Sequence, residues 1–194
     1  GSSGGAGGSS SFSGQTAQPV VVKLHYVIQF DTNGGTNLSR RTMTLLDGDS
    51  PGIMPKVQRK DYLFRGWYTQ KEGGKQVAGD KPLEEAATLY ARWVRASAPV
   101  KTASLKLVSK KKGQAQVSFQ KVTGAAGYQA EYAADKTFAS AKKKNIGANT
   151  KTKTLTGLKA GKKYYVRVRA YVLDSMGNKI YGIYSTVKSI RIHS

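Results

Sequence analysis

Alternation of apolar and polar residues is the first signal in the chain. Val22, Leu24, Tyr26, Ile28 and Phe30 fall on one side of a period of two, with Lys23, His25 and Gln29 on the other. That pattern predicts a long half-buried strand. Asp31-Thr32-Asn33-Gly34-Gly35 follows. Asn-Gly tolerates positive φ at both central positions, so a hairpin is expected here. A second strand over 40–46 puts Met43 and Leu45 on one face. Two prolines, Pro51 and Pro55, make 50–56 a turn or a single helical turn. Strands are expected over 63–69 and 88–94. Between them, Gly73-Gly74 opens a loop and Pro82 starts one helical turn through Ala86.

Beyond Ala96-Ser97-Ala98-Pro99 the rhythm changes. Short apolar stretches recur about every ten residues, separated by turn residues, as in a β-sandwich. Strands are predicted over 104–107, 114–119, 127–132, 142–146, 151–155, 164–171 and 185–192. The expected organisation is a Gly/Ser leader over 1–19, whose start reads as a cloning scar, then one module over 20–96 and another over 97–194. The natural protein is expected to extend past both ends. The fold class expected is mainly β.

Charge separates the two modules. The net charge is +21. Residues 1–100 hold 12 Lys/Arg against 8 Asp/Glu, a net of +4, while residues 101–194 hold 20 against 3, a net of +17. A field of that kind favours polyanionic partners. There is no cysteine, which removes disulfides, thiolate metal sites and a cysteine nucleophile. The apolar residues, 39% of the chain, suffice for packed cores, but no run is long enough to span a bilayer.

Two resemblances rest on particular residues. Phe30-Asp31-Thr32-Asn33-Gly34-Gly35-Thr36, Tyr62-Leu63-Phe64-Arg65-Gly66-Trp67-Tyr68-Thr69, Gly73-Gly74 and Thr88-Leu89-Tyr90-Ala91-Arg92-Trp93 occur in that order. The set resembles the Listeria–Bacteroides repeat, or internalin B-repeat. That resemblance implies a small β-grasp-like module of bacterial surface proteins, usually in strings. Physically, the Asn-Gly-Gly turn would set the hairpin register. Gly66 would let the backbone approach an aromatic, and Trp67, Tyr90 and Trp93 would supply much of the core.

The stretch from Leu155 to Tyr171, containing Gly157, Gly161 and Tyr164, resembles the E–F corner and F strand of a fibronectin type III domain. The resemblance implies an immunoglobulin-like sandwich. In it Tyr164 would be the corner tyrosine whose hydroxyl bonds back to the backbone. Residues 127–132 would be strand C. Phe119 stands where that family commonly has tryptophan, and there is no Arg-Gly-Asp.

No catalytic, metal or cofactor constellation emerges. His25 and His193 lack partners at motif spacing. Asp47/Asp49 and Glu84/Glu85 read better as turn and helix-start residues. Asp31-x-Asn33-Gly34 lacks the later ligands of a calcium loop. Two candidate anion-binding surfaces remain. The first is a pole where Lys110, Lys111 and Lys112 of the A–B turn meet Lys162 and Lys163 of the E–F turn, joined by Lys136. Loop solvation is the plainer account of these lysines. The second is a stripe of Tyr165, Arg167, Arg169 and Tyr171 facing out from strand F, suited to sugar or sulfate contacts. Cross-strand cover of a sheet face is the plainer account there.

The function expected is a non-enzymatic, cofactor-free part of a secreted or wall-attached bacterial surface protein. Its place would be extracellular, at the cell surface or cell wall. It would act in adhesion or in binding anionic glycans, wall polymers or host surface proteins. Alternatives are a structural spacer or an accessory segment of a secreted hydrolase. Nucleic acid ranks last, since the basic residues lie in separate loops.

Overall fold

The computed structural model describes residues 1–194 apart from 6, 10–13 and 15. Its described residues form strands and turns, with no helix. Five strands build the first sheet: β1 (His25–Asp31), β2 (Thr42–Leu46), β3 (Tyr62–Tyr68), β4 (Gln76–Val77) and β5 (Ala87–Arg95). Their order is β2-β1-β5-β3-β4, with β1 and β5 parallel and the other pairs antiparallel. A central parallel pair flanked by antiparallel partners is β-grasp-like. The core face carries Ile28, Phe30, Met43, Leu45, Trp67, Leu89 and Ala91. Connections rather than a helix close it, through Val57 and the partly buried Leu38, Met54 and Leu83.

The residues locate several departures from the sequence expectations. β1 starts at His25, not near Val20: Val20, Val21, Val22 and Leu24 are exposed. Alternation alone could not show that no neighbouring strand reaches Val20 to Val22, although Leu24 O still accepts from Asp47 N–H at 2.8 Å. Asn33 and Gly34 do take positive φ, 46° and 88°, with Gly35 N–H donating to Thr32 O at 2.9 Å. That turn does not join β1 to β2 directly. Gln29 pairs with Thr42, and the excursion from 32 to 41 touches Gln58 through Thr36. The helical turn expected over 82–86 is absent, and the two-residue β4 was not foreseen.

Glycine roles are redistributed too. Phe64 pairs with Trp93 and Trp67 with Ala91, so Arg65 and Gly66 together oppose Arg92 in a bulge. The bulge resolves a period conflict. Phe64 and Trp67, three apart, can both face the core only if one residue is looped out. Gly66 has φ 111°, and a Cβ there would meet the Gln76 side chain rather than an aromatic. In the first module the glycine that admits an aromatic is Gly35, where a Cβ would lie 2.5 Å from Trp93. Trp67 is the buried centre and donates from Nε1 to Pro55 O. Tyr90 is half-buried and stands outside the core, under Lys71.

The second core lies between two sheets. One contains β6 (Lys106–Val108), β7 (Ala115–Ser118) and β10 (Thr152–Leu155) in the order β10-β7-β6. The other contains β8 (Gly127–Ala133), β9 (Lys142–Gly147), β11 (Lys163–Leu173), β12 (Lys179–Tyr181) and β13 (Lys188–Arg191). Its order is β12-β11-β8-β9, with β13 also on β11. This is a fibronectin type III-like sandwich, with A, B and E strands facing C′, C, F and G strands. Lys159 N–H donates to the Tyr164 hydroxyl at 3.2 Å, the backbone link expected of the corner tyrosine. The last strand, expected over 185–192, is shortened to β13, and β12 over Lys179–Tyr181 lies outside every strand expected from the sequence. Between β12 and β13 the Val168 N–H bonds the Ser185 hydroxyl, and Gly182 crosses close to the Pro99 carbonyl.

Candidate binding surfaces

The A–B and E–F turns do meet. Leu158 N–H donates to Gly113 O at 3.0 Å, and Gly113 has the positive φ, 70°, that this tight turn needs. Lys110, Lys111 and Lys112 are therefore carried beside Lys162 and Lys163 at one end of the sandwich. Lys159 and Arg191 join them: Arg191 pairs with Lys163 across β13 and β11, and donates to Gly161 O. These cations are exposed. The described residues form three salt bridges, and none uses a cation of this pole. Lys110 and Lys111 border a depression of about 240 Å³ with Gln114, Gln116, Thr154 and Val108. The outward residues of β6, β7 and β10 supply its floor. Strand alternation carries that signal, since Val108, Gln116 and Thr154 fall on the outward side of their strands.

Lys136 sits in a second depression of about 300 Å³ with Tyr165, Val187 and Lys188. Lys163 links the two places, its ammonium 5.4 Å from the Tyr165 ring centre. Tyr165 thus belongs with the pole as much as with the stripe.

The rest of the stripe is engaged within the protein. All seven residues of β8 are buried, including the outward Gln129 and Glu131. Arg167 Nε donates to Glu131 Oε2 at 2.6 Å while its guanidinium lies 4.1 Å from both the Phe138 and Tyr184 rings. Arg169 lies 3.7 Å from the Tyr181 ring and donates to Gln129 Oε1. Tyr171 meets Tyr181 edge-on, with Lys179 above it. Burial, and the Glu131 carboxylate beside it, push the Tyr184 hydroxyl above its ordinary value, although Arg169 and Arg167 pull it down. The stripe is a closed layer of stacked cations and rings over the sheet.

One contact set had no counterpart in the sequence reading. The β11–β12 turn reaches the first module. Ser175 N–H donates to Tyr62 O at 2.8 Å, and the Ser175 hydroxyl accepts from Arg59 N–H and donates to Arg59 O, both at 2.7 Å. The Asp174 carboxylate accepts from Asp61 N–H at 2.9 Å. Within its own turn it also accepts from the Met176 and Asn178 N–H groups and the Asn178 amide. Burial raises the pKa of this carboxyl, but those hydrogen bonds outweigh it and hold it at about 2. Asp-Ser-x-Gly-Asn is legible as a turn that its own side chain organises. Nothing in the sequence says that it grips another module.

Residues 26–92 match the family model of the Listeria-Bacteroides repeat domain, about a third of the chain. Repeats of this family occur in extracellular surface proteins. No curated protein matches the chain. Among solved structures, the FN1–FN3 domains of chicken CNTN1 are 16% identical, covering 80% of this chain and 69% of that one, with a TM-score of 0.47. The fn3 domain of human collagen alpha-1(XX) chain is 22% identical over 52% of this chain and 90% of its own, with a TM-score of 0.42. The FN5 domain of Drosophila Lar is 19% identical over 50% and 99%, with a TM-score of 0.40. By family model, residues 26–92 are similar to the Listeria-Bacteroides repeat; by strand order, the sandwich that follows is fibronectin type III-like.

Proposed function

We propose that this chain is a non-catalytic part of a secreted or wall-attached bacterial surface protein, and that its second module binds anionic glycans or cell-wall polymers through the lysine pole. The observation that supports this most directly is the uncompensated charge brought together by the Leu158–Gly113 hydrogen bond. Lys110, Lys111, Lys112, Lys162 and Lys163 converge there without a carboxylate partner among the described residues. Tyr165 adds a ring beside Lys136 and Lys188, a pairing suited to the face of a sugar and its charged substituent. Repeats and sandwich domains of these kinds are typically non-catalytic.

The test is affinity for heparin and for teichoic acid as a function of salt. Binding at low salt should weaken steeply as salt rises. Lys110→Gln, Lys111→Gln and Lys162→Gln together should lower the slope of log affinity on log salt by roughly one per lysine removed. Undiminished binding in that triple variant, or no binding at low salt, overturns the reading.

The Asp174–Ser175 grip on residues 59–62 favours a second reading, a spacer that presents the module at a fixed angle. Scattering that shows one interdomain geometry, together with no ligand on a glycan array, would replace the first reading with this one.

A further inference from the structure

We infer that the first module carries its own oxyanion site, independent of the lysine pole, between Arg59, Lys71 and Arg92. The ligand class is a carboxylate or sulfate group on a saccharide.

The Arg59 guanidinium lies 3.8 Å above the Tyr62 ring, and that of Arg92 4.2 Å above the Tyr68 ring. Arg92 Nη2 donates to the carbonyls of Gln70 and Gly73. Arg59 Nη1 makes only a long contact, 3.5 Å, to Asn33 O. Aromatic faces and carbonyls therefore fix both cations in place, yet neither forms a salt bridge among the described residues. Arg92 Nε is buried and has no hydrogen-bond partner. Stacking leaves both formal charges intact; Arg59 keeps most of its donors free, while Arg92, with Nη2 engaged and Nε buried, keeps Nη1, and little side-chain freedom remains to be lost on binding.

These side chains border a cleft of about 280 Å³ with Asn33, Lys71, Glu72 and Trp93. Lys71 is 3.7 Å from Asp31, an exposed and weak pairing. Glu72 is the single acidic side chain on the cleft wall. Trp93 donates its indole N–H to Thr32 O, which sets the orientation of the ring at the wall. An arginine fork beside an oriented indole and an amide suits an oxyanion attached to a sugar ring. Arg59 is also the residue whose backbone Ser175 grips from both sides, so the second module braces one wall of the cleft.

The full chain, labelled with ¹⁵N, would be titrated with glucuronate, galactose 6-sulfate and neutral glucose. Saturable shifts of the Trp93 indole N–H and of the Arg59 and Arg92 Nε–H signals are expected with at least one charged sugar and not with glucose. Which charged sugar responds identifies the anion. Arg59→Gln should weaken the response at least tenfold. Arg59→Lys keeps the charge and loses the fork, and should fall between the two if the amide spectrum elsewhere is unchanged. Shifts confined to the amides of Gln114 and Gln116 would support the lysine pole and overturn this site. Equal shifts with glucose, or an unaltered response in both Arg59 variants, would also overturn it. Failure of the pole alone would leave the Trp93 and arginine shifts standing.

Discussion

Both modules lay basic side chains on aromatic rings, but only one neutralises them. In the second, Arg167 lies between Phe138 and Tyr184 and meets the carboxylate of buried Glu131, while Arg169 meets the Gln129 amide. In the first, Arg92 over Tyr68 and Arg59 over Tyr62 reach carbonyl oxygens and no carboxylate. Stacking alone fixes a cation without discharging it. Whether such a residue is scaffold or contact surface depends on what its N–H groups meet at the far end. The modules also differ in depth. β8 is buried on both faces, whereas the first sheet has one packed face and leaves Val27 and Val94 exposed on the other.

The largest effect that separates the modules is expected at Trp67. It is 2% exposed and is the centre around which Phe30 and Phe64 pack edge-on, at 4.8 and 5.6 Å. Trp67→Ala should cost about 3–5 kcal/mol. It also removes the donor to Pro55 O. Calorimetry should show the first module melting in a separate, earlier transition, with the second unchanged. A single shifted transition would mean that the two cores unfold together.

Arg167→Gln comes next. Glu131 is 8% exposed, and its other cationic partner, Lys143, stands 4.0 Å away. Removing one partner of a buried pair leaves a charge uncompensated, at a cost of about 3 kcal/mol. Chemical denaturation should place the whole loss in the second module. A loss below about 1 kcal/mol would show that this layer is less closed than its geometry implies.

How much of this was legible in the chain follows from what the pattern encodes. Strands β8 and β11 are visible because Tyr128, Ala130 and Tyr132 alternate, as do Val166, Val168 and Ala170, and the corner tyrosine because Tyr164 stands six residues beyond Leu158. The start of β1 is not, since Val20, Val22 and Leu24 continue the same period, yet ladder pairing with β2 begins only at His25. The bulge at Gly66 breaks the period, so its neighbour could not be inferred. The pole was readable because turn residues bracket Lys110–Lys112 and Lys162–Lys163. The arginine cleft was not: Arg59, Lys71 and Arg92 lie on three separate segments, and only the fold of the 32–41 loop and the β3–β5 pair unites them.

Asp174 tests the connection between the modules. Its folded pKa, about 2, lies below the ordinary carboxyl value of 3.8. A depressed carboxyl pKa stabilises the fold above the unfolded value, and that contribution disappears as pH falls from about 4 through 2. The difference corresponds to about 2 kcal/mol. Nitrogen relaxation at neutral pH should give both modules one tumbling time. Below pH 2, or in Asp174→Asn with Ser175→Ala, the two times should separate. Separate tumbling in the unaltered protein at neutral pH would show that the turn does not hold the modules together, and would remove the spacer reading.

The smallest effect sharpens the comparison most, because it concerns the same carboxylate as Arg167. Lys143 approaches Glu131 from the exposed edge strand β9, and its side chain is 53% exposed against 29% for Arg167. At 4.0 Å its attraction acts largely through water, and holding the long side chain in one rotamer offsets part of it. It has no ring to lie on, whereas Arg167 has two. Lys143→Gln should therefore change stability by less than about 0.5 kcal/mol, and raised salt should erase the difference. A double-mutant cycle with Glu131→Gln isolates each pair. Coupling energy should be substantial for Arg167 and near zero for Lys143. If Lys143 couples as strongly as Arg167, then proximity to the carboxylate and not the aromatic layer sets the strength, and the contrast with the unneutralised arginines of the first module loses its physical basis.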